Sequence, residues 1–534
     1  MQNQLRDYLL SQPDSKITIW SNNEGFVWLE VDDLPKVLEY LLTLPERPVW
    51  LTHVMNDERE LGHGFTLYLL LHLIGDFTLT LAIKGLDDSF PSLTPIFPAF
   101  NWAEREAQDL FGLKAKGHPD NRPLILHPGW QIGFHPLRKD IPSESLNDDK
   151  YKSVPLPVPN ALGEGIFEIP VGPIHAGIIE PGHFRFQTIG ETVLNLDAQL
   201  FYTHKGIEKL LEGKDLLEGL SIIERLCAVC TVSHSLAYCE AVEKLADIEL
   251  TRETLLWRTI LAELERLYNH IGDIGNMCAG VGFALGNANG LQGKERLQRL
   301  NHEVFAHRFL RGVVVPGGLK IIPDSKSLYA LKNHLTEIAR DFEEWIPLIL
   351  ECYEFRQRAV TTGMLKRESA IDLGVTGVAA RASGVNFDWR TAHAHLLYPE
   401  LAVKPVVEET GDVWARISVR VCEVRESFRI IMTLLREVII TGESAVKVSP
   451  ERSGQVRNLK LPPLQIAWGC AESPRGTDVI WLMTDEQGKI FRCRIRTAAY
   501  ANWPAVPLAV LGNIVPDFPL INKSFELCYS CCDR

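Results

Sequence analysis

Glu224-Arg-Leu-Cys227-Ala-Val-Cys230-Thr-Val-Ser-His234-Ser and Glu526-Leu-Cys528-Tyr-Ser-Cys531-Cys-Asp-Arg534 each carry a Cys-x-x-Cys pair, and roughly 300 residues separate them. Two intervening residues let both sulfurs of a pair turn toward one ion, and two pairs supply four thiolates, a donor set for a soft metal. Spacing alone leaves structural zinc, a redox or catalytic metal, and unpaired buried cysteines all open. Zinc sites usually keep their two pairs within tens of residues of each other. The end of a domain is mobile unless something ties it down. A ligand pair this close to Arg534 therefore predicts a buried tail.

Composition narrows the setting. A chain of 534 residues predicts two to four domains with a large core, and its 46% apolar and 23% charged content is that of an ordinary globular protein. The net charge of −13 comes with no Lys/Arg-rich run, which argues against nucleic acid as a partner. No apolar stretch approaches the 18 or more residues of a membrane span; Phe65 to Leu73 is among the longest. Met-Gln-Asn-Gln-Leu-Arg-Asp at the start lacks the basic-then-apolar order of a signal peptide. Eleven cysteines without an export signal predict a reducing, cytosolic setting rather than a disulfide scaffold.

The order of patterns predicts an α+β chain of two domains. Residues 1–140 read as a small α/β unit: Lys16 to Trp20 and Phe77 to Ala82 alternate like strands, and Leu34 to Leu44 and Trp102 to Phe111 have helical spacing. Residues 141–165, with Pro155-Leu-Pro-Val-Pro159, read as a linker. Residues 166–534 read as mainly helical with a β-containing tail. Thr251 to Ile271, Thr336 to Gln357 and Trp414 to Val438 are the helices, Gly280 to Gly290 and Pro316-Gly-Gly318 are turns, and Val479 to Met483 and Lys489 to Arg494 are strands. The aromatic and acidic residues from Phe97 to Asp109 predict a packing or docking face.

Further motifs follow one another in a telling order. Phe100-Asn-Trp-Ala-Glu-Arg-Glu-Ala-Gln-Asp-Leu-Phe111-Gly112 and Gly117-His-Pro-Asp120 resemble the 30-kDa-subunit family of respiratory complex I. Val171-Gly-Pro-Ile-His175, Glu180-Pro-Gly-His-Phe-Arg185 and His204-Lys-Gly-Ile-Glu208-Lys209 resemble the [NiFe]-hydrogenase large subunit and its relative, the complex I 49-kDa subunit. Arg381-Ala-Ser-Gly384, Ala471-Glu-Ser-Pro-Arg475-Gly476 and Tyr500-Ala-Asn-Trp-Pro504 extend the match. A fusion of the two resembles the large subunits of energy-converting, formate-hydrogenlyase and hydrogenase-4 type enzymes. The 49-kDa relatives use the cavity for quinone and lack the four cysteines, which this chain keeps.

The resemblance implies a fold, a cofactor and partners. It implies a Ni–Fe centre with CO and cyanide on the iron, held by Cys227 and Cys528 as terminal nickel ligands and by Cys230 and Cys531 as bridging ligands. His234 would donate a hydrogen bond to a bridging sulfur. Arg475 would set a fixed cation over the diatomic ligands. Glu180 would be the first proton acceptor beyond the metal, and Glu208 would lie near a magnesium ion. Cys532 would be incidental. The remaining cysteines form no further cluster motif, so an iron–sulfur small subunit resembling the complex I 20-kDa subunit is implied. Integral membrane subunits are implied too, with formate dehydrogenase and ferredoxin-like subunits as further members. The place implied is the cytoplasmic face of the inner membrane, reached through partners.

Two departures from the family pattern bear on this. Ala228 stands where the family has Gly, which fits only a loop that avoids positive φ and close backbone approach. Glu526-Leu527 stands where it has Asp-Pro, restoring a backbone N–H and freeing φ. Many large subunits lose a C-terminal extension after a basic residue in the position of Arg534. A mature form, a member that needs no cleavage, and a degenerate relative are all consistent with the sequence. The alternatives to a hydrogenase are a fused NADH- or quinone-type oxidoreductase subunit without hydrogen turnover, and a non-catalytic assembly subunit with zinc at the cysteines.

Overall fold

The computed structural model describes residues 2–130, 133–142, 163–175, 179–441 and 461–534. The linker expected over 141–165 lies almost wholly outside the described residues.

The N-terminal unit runs α1 (Gln2–Leu10), β1 (Lys16–Trp20), β2 (Glu24–Trp28), α2 (Leu34–Leu42), β3 (Val49–Asp57), β4 (Phe65–Leu73), β5 (Phe77–Leu86), β6 (Ser89–Pro91), α3 (Asn101–Phe111) and β7 (Lys114–Lys116). The main sheet has the order β1-β2-β5-β4-β3 and is antiparallel except for the β2–β5 pair. Strand β4 is apolar almost throughout, which marks a strand covered on both sides. Leu67, Leu69 and Leu71 point to α1 and α2 through the large core, whereas Tyr68 and Leu70 pack with Trp468, Val479, Trp481 and Met483 of the C-terminal region. The period of two along one strand thus joins the two units.

The C-terminal region opens with an antiparallel sheet absent from the sequence reading: β8 (Ile166–Val171), β9 (His183–Ile189) and β10 (Thr192–Gln199). Helices follow: α4 (Ile207–Leu210), α5 (Leu216–Ile223), α6 (Thr231–Leu245), α7 (Arg252–Gly280), α8 (Ala284–Phe305), α9 (Ser325–Leu350) and α10 (Tyr353–Ala359), with a short β11–β12 hairpin (Val314–Val315, Gly318–Leu319) between α8 and α9. The helix expected over Thr336 to Gln357 is therefore two helices. The long helix Val413–Thr441 packs on α7, and β13 (Ile466–Ser473), β14 (Gly476–Thr484) and β15 (Ile490–Arg496) form the last sheet.

The turn expected over Gly280 to Gly290 is corrected: Gly286 and Gly290 lie inside α8. A β-carbon on Gly290 would stand 2.5 Å from the Gly275 Cα of α7. The glycines let two helix backbones touch, and helix packing outweighs the local cost of glycine in a helix. Among the described residues no helix is long and apolar enough to cross a membrane.

Candidate metal centre

Helix α7 is the platform on which the first cysteine loop rests. Its polar residues Glu265, Asn269 and Asp273 recur every four positions, so they form one stripe, and all three are buried. Cys230 ends the loop at the start of α6 but gives that helix no side-chain cap. The Glu265 carboxylate does so instead, accepting from Val232 N at 2.7 Å, Ser233 N at 3.0 Å and Ser233 Oγ at 2.5 Å. Burial pushes Glu265 up to about 7. One turn further, Asn269 Nδ2 donates to Val229 O at 2.7 Å and Tyr268 Oη to the same oxygen at 3.3 Å, fixing the backbone between the cysteines. Ala228 is not among the positive-φ residues, so the loop accepts its methyl without strain.

The second loop arrives from the opposite end of the chain. The helix Phe518–Phe525 is closed by Glu526 in the left-handed region (φ 52°). Cys528 then heads the short helix Tyr529–Asp533, its Sγ accepting from Cys531 N at 3.4 Å. The tail is buried as expected: Cys531 is 2% exposed and Arg534 is 1% exposed.

The fold brings the two loops together. Ligand atoms of Cys227, Cys528 and Cys531 lie within 4.8 Å of one another, with Cys531 Sγ 3.0 Å from Cys227 Sγ. Cys230 interacts through its thiol with Cys227 and Cys531, and these contacts hold its pKa down. Cys528 is pushed up to about 12, first by its contact with Cys227, and Cys531 is raised well above the thiol range by its contacts with Cys227, Cys230 and Cys528. Four sulfurs this close cannot all ionise unaided; a cation between them removes the conflict. The donor set thus fits a soft metal centre. Cys532 is fully buried and stands outside the group.

The other expected residues surround this cluster, with one correction. His234 lies one turn into α6, its Nε2 3.9 Å from Cys531 Sγ and 3.4 Å from Asp478 Oδ2. Burial lowers its pKa to about 3, so the ring is neutral, and raises that of Asp478 to about 8. Arg475 sits at the tip of the β13–β14 hairpin, where Gly476 (φ 135°) lets the turn meet Thr376; a β-carbon there would lie 2.4 Å from Thr376 Oγ1. Its side chain is buried rather than on the surface. It donates to Asp273 at 2.9 and 3.0 Å and to Glu526 O at 2.9 Å. Burial opposes ionisation of Asp273, yet the Arg475 charge holds its carboxyl well below the usual range. Behind it, His270 Nε2 contacts Glu423 at 2.8 Å and Arg381 contacts Glu423 at 2.6 Å. Glu180 reaches the second loop, accepting from Ser530 N at 2.8 Å and from Ser530 Oγ.

Glu208 is the correction. Its carboxylate accepts from Arg492 at 3.1 Å, Arg494 at 3.2 Å, Arg534 at 3.2 Å and Ile495 N at 3.0 Å. Three guanidiniums fill the space in which a magnesium ion was expected, and a dication beside them would meet repulsion. These residues do not fit the ion.

Glu265, Asn269 and Asp273 were not singled out from the sequence. Their signal was the four-residue spacing on α7, which on most helices marks a solvated face.

Cys227, Cys528 and Cys531, with Cys230 in contact, thus meet where the start of α6 faces the C-terminal tail. Residues 27–147 match the 30-kDa subunit family of respiratory-chain NADH dehydrogenase, residues 281–534 its 49-kDa subunit family, and residues 205–274 the nickel-dependent hydrogenase family. The chain is 32% identical to formate hydrogenlyase subunit 5 and 33% identical to hydrogenase-4 component G, both of Escherichia coli (strain K12), each match covering 95% of this chain and 88% of the relative. It is 26% identical to the fused C/D subunit of the NADH-quinone oxidoreductase of Proteus mirabilis, over 95% of this chain and 92% of that one. The chain belongs to the family of fused 30-kDa and 49-kDa large subunits that includes these proteins. Its fold is also that of a chain in the archaeal membrane-bound sulfane sulfur reductase (TM-score 0.64, 24% identity, 70% of this chain and 100% of the other).

Proposed function

We propose that this chain is the catalytic large subunit of a membrane-associated, complex-I-like [NiFe]-hydrogenase of the formate-hydrogenlyase or hydrogenase-4 type, H2 ⇌ 2H+ + 2e−. The gathering of four cysteine sulfurs from both ends of the C-terminal region carries this reading. Cys227, Cys230, Cys528 and Cys531 would hold the nickel–iron pair. Such a pair, with CO and cyanide on the iron, supplies the redox chemistry that splits and forms H2.

The chain's own residues do the rest. Glu180 presents its carboxylate beside Ser530, between the two cysteines of the second loop, where it can take up the released proton at Oε1 or Oε2 and pass it outward. Arg475, clamped by Asp273, keeps a fixed positive charge over the cluster without reorganising. Neutral His234 orients the Cys531 sulfur. The apolar packing around the loops excludes water, which strengthens each of these effects.

Among the described residues the other cysteines form no second group, so electrons leave through a partner. We take this to be an iron–sulfur small subunit of the complex I 20-kDa kind, in a complex anchored by membrane subunits on the cytoplasmic face, with formate dehydrogenase and ferredoxin-like subunits as the donor side.

Metal analysis and infrared spectroscopy of the anaerobically purified complex test this. One nickel and one iron per chain, with CO and cyanide bands, are expected; Cys531→Ser abolishes nickel and hydrogen uptake, and Glu180→Gln lowers turnover while keeping nickel. A metal-free or zinc-only chain that reduces quinone places the protein with the NADH-quinone relatives instead.

A further inference from the structure

We propose that Glu106, carried by the N-terminal unit, is a positioning residue for the second cysteine loop, acting through the guanidinium of Arg534. What the loop holds rests on the function proposed above; how the loop is held does not.

Glu106 lies on α3 and is 4% exposed. Its Oε2 accepts from Arg534 Nη2 at 2.9 Å and Arg494 Nη2 at 3.1 Å, and its Oε1 from Arg494 Nη1. Arg534 also donates to Ile495 O at 2.7 Å and Glu208 Oε1 at 3.2 Å. The Tyr500 ring lies 4.4 Å from the Arg534 guanidinium carbon and 5.4 Å from that of Arg494. Arg492 pairs with Glu208 at 3.1 Å and approaches Glu212 at 3.7 Å. Glu212 is shared with Lys139 at 3.0 Å and Lys209 at 3.1 Å, so Arg492, Arg494 and Arg534 depend on Glu106 and Glu208 for most of their counter-charge. Leaving a desolvated guanidinium unmatched is costly.

The connection to the sulfurs is short. Arg534 N donates to Ser530 O at 3.1 Å and Cys532 N to Cys528 O at 3.2 Å, so one helical turn links the Arg534 anchor to Cys528 and Cys531. A five-residue helix has no stability of its own; its position is set by its anchors. Glu106 is the anchor that comes from the other unit, so the fused N-terminal unit completes the cysteine cluster as well as covering the last sheet. A guanidinium borne by the chain occupies the ground where a metal ion was expected.

The test is hydrogen–deuterium exchange of residues 526–534 in the full chain within its complex, for Glu106→Gln, Glu106→Asp, Arg534→Gln and the double variant Glu106→Gln/Arg534→Gln. Glu106→Gln speeds tail exchange roughly tenfold with α7 unchanged, and Glu106→Asp restores part of the protection. In the Arg534→Gln background, Glu106→Gln adds less than about twofold, since the two act as one contact. Unchanged tail protection in Glu106→Gln overturns the proposal. So does an effect of equal size with and without Arg534, which would place Glu106 with Arg494 alone. If Glu106→Gln does not accumulate, Glu106→Asp is read by the same criteria. Nickel per chain is measured in parallel. Nickel absent from the unsubstituted complex overturns the metal reading, while a loosened tail in the variant still upholds the positioning role.

Discussion

The two cysteine loops share one local design and are supported in opposite ways. In each, the first sulfur accepts from the backbone N–H of the second cysteine, Cys227 from Cys230 at 3.3 Å and Cys528 from Cys531 at 3.4 Å, and a helix follows. The first loop leans on one neighbour, α7, through Glu265, Tyr268 and Asn269. The second is held by pieces far apart in the chain: Glu180, the Phe201–Thr203 backbone through Asp533, Thr497 Oγ1 on Cys531 O at 2.9 Å, and Glu106. The helix after the first loop has 15 residues and that after the second has five. The same four-residue motif is therefore a fixed platform at one site and, at the other, a docked part whose order depends on the rest of the fold.

The largest effect is expected where the platform is cut. Glu265→Ala leaves two buried N–H groups and a hydroxyl without an acceptor, at about 1–3 kcal/mol each. A global loss of roughly 3 kcal/mol or more should appear as a lower urea midpoint of the whole chain. A change confined to the first loop would show that α7 is not the platform described.

The pH dependence of the same group comes next. Glu265 has its folded pKa raised to about 7, against ~4.3 for a free glutamate, so the folded state holds its proton longer than the unfolded one. Stability from this group is therefore full below the unfolded value. It falls as pH rises from ~4.3 to about 7, by at most ~1.4 kcal/mol per pH unit, and is level above that. Glu265→Gln, which cannot titrate, should remove that slope. Urea midpoints of both proteins across this window give the difference directly; parallel curves would mean that Glu265 is ionised throughout.

The residues that meet at the two loops were legible, and most of what supports the loops was not. The cysteines, His234, Arg475 and Glu180 stand in sequence motifs, and the fold brings all of them to the two loops. Asp273, Glu265 and Asn269 looked like an ordinary polar helix face, because a 3.6-residue period says which residues share a side but not whether water or protein lies there. Gly286 and Gly290 were read as a turn for a related reason: glycine permits a bend and also permits close helix contact, and only the position of Gly275 across the interface decides. Strand β8 escaped notice because Pro170 and Glu168 interrupt its apolar run. At Glu208 the resemblance pointed to a charged site correctly and to the wrong counter-ion, since Arg494 and Arg534 meet it only after the chain has folded.

The smallest global effect should come from cutting an anchor of the docked loop. Asp533 accepts from Phe201 N at 3.0 Å, Thr203 N at 3.0 Å and Thr203 Oγ1 at 2.8 Å. By bond count Asp533→Ala should match Glu265→Ala. Yet the terminal helix can come away without opening the bundle of α6, α7 and the helix Val413–Thr441, so the loss is limited to the free energy of that local opening. The stability read from the urea midpoint should fall by less than about 1 kcal/mol, while alkylation of the Cys532 thiol under native conditions speeds up severalfold, against little change in Glu265→Ala below its transition. If instead the midpoint of Asp533→Ala falls as far as that of Glu265→Ala, tail and bundle unfold as one unit. The second loop would then be as much a part of the core as the first.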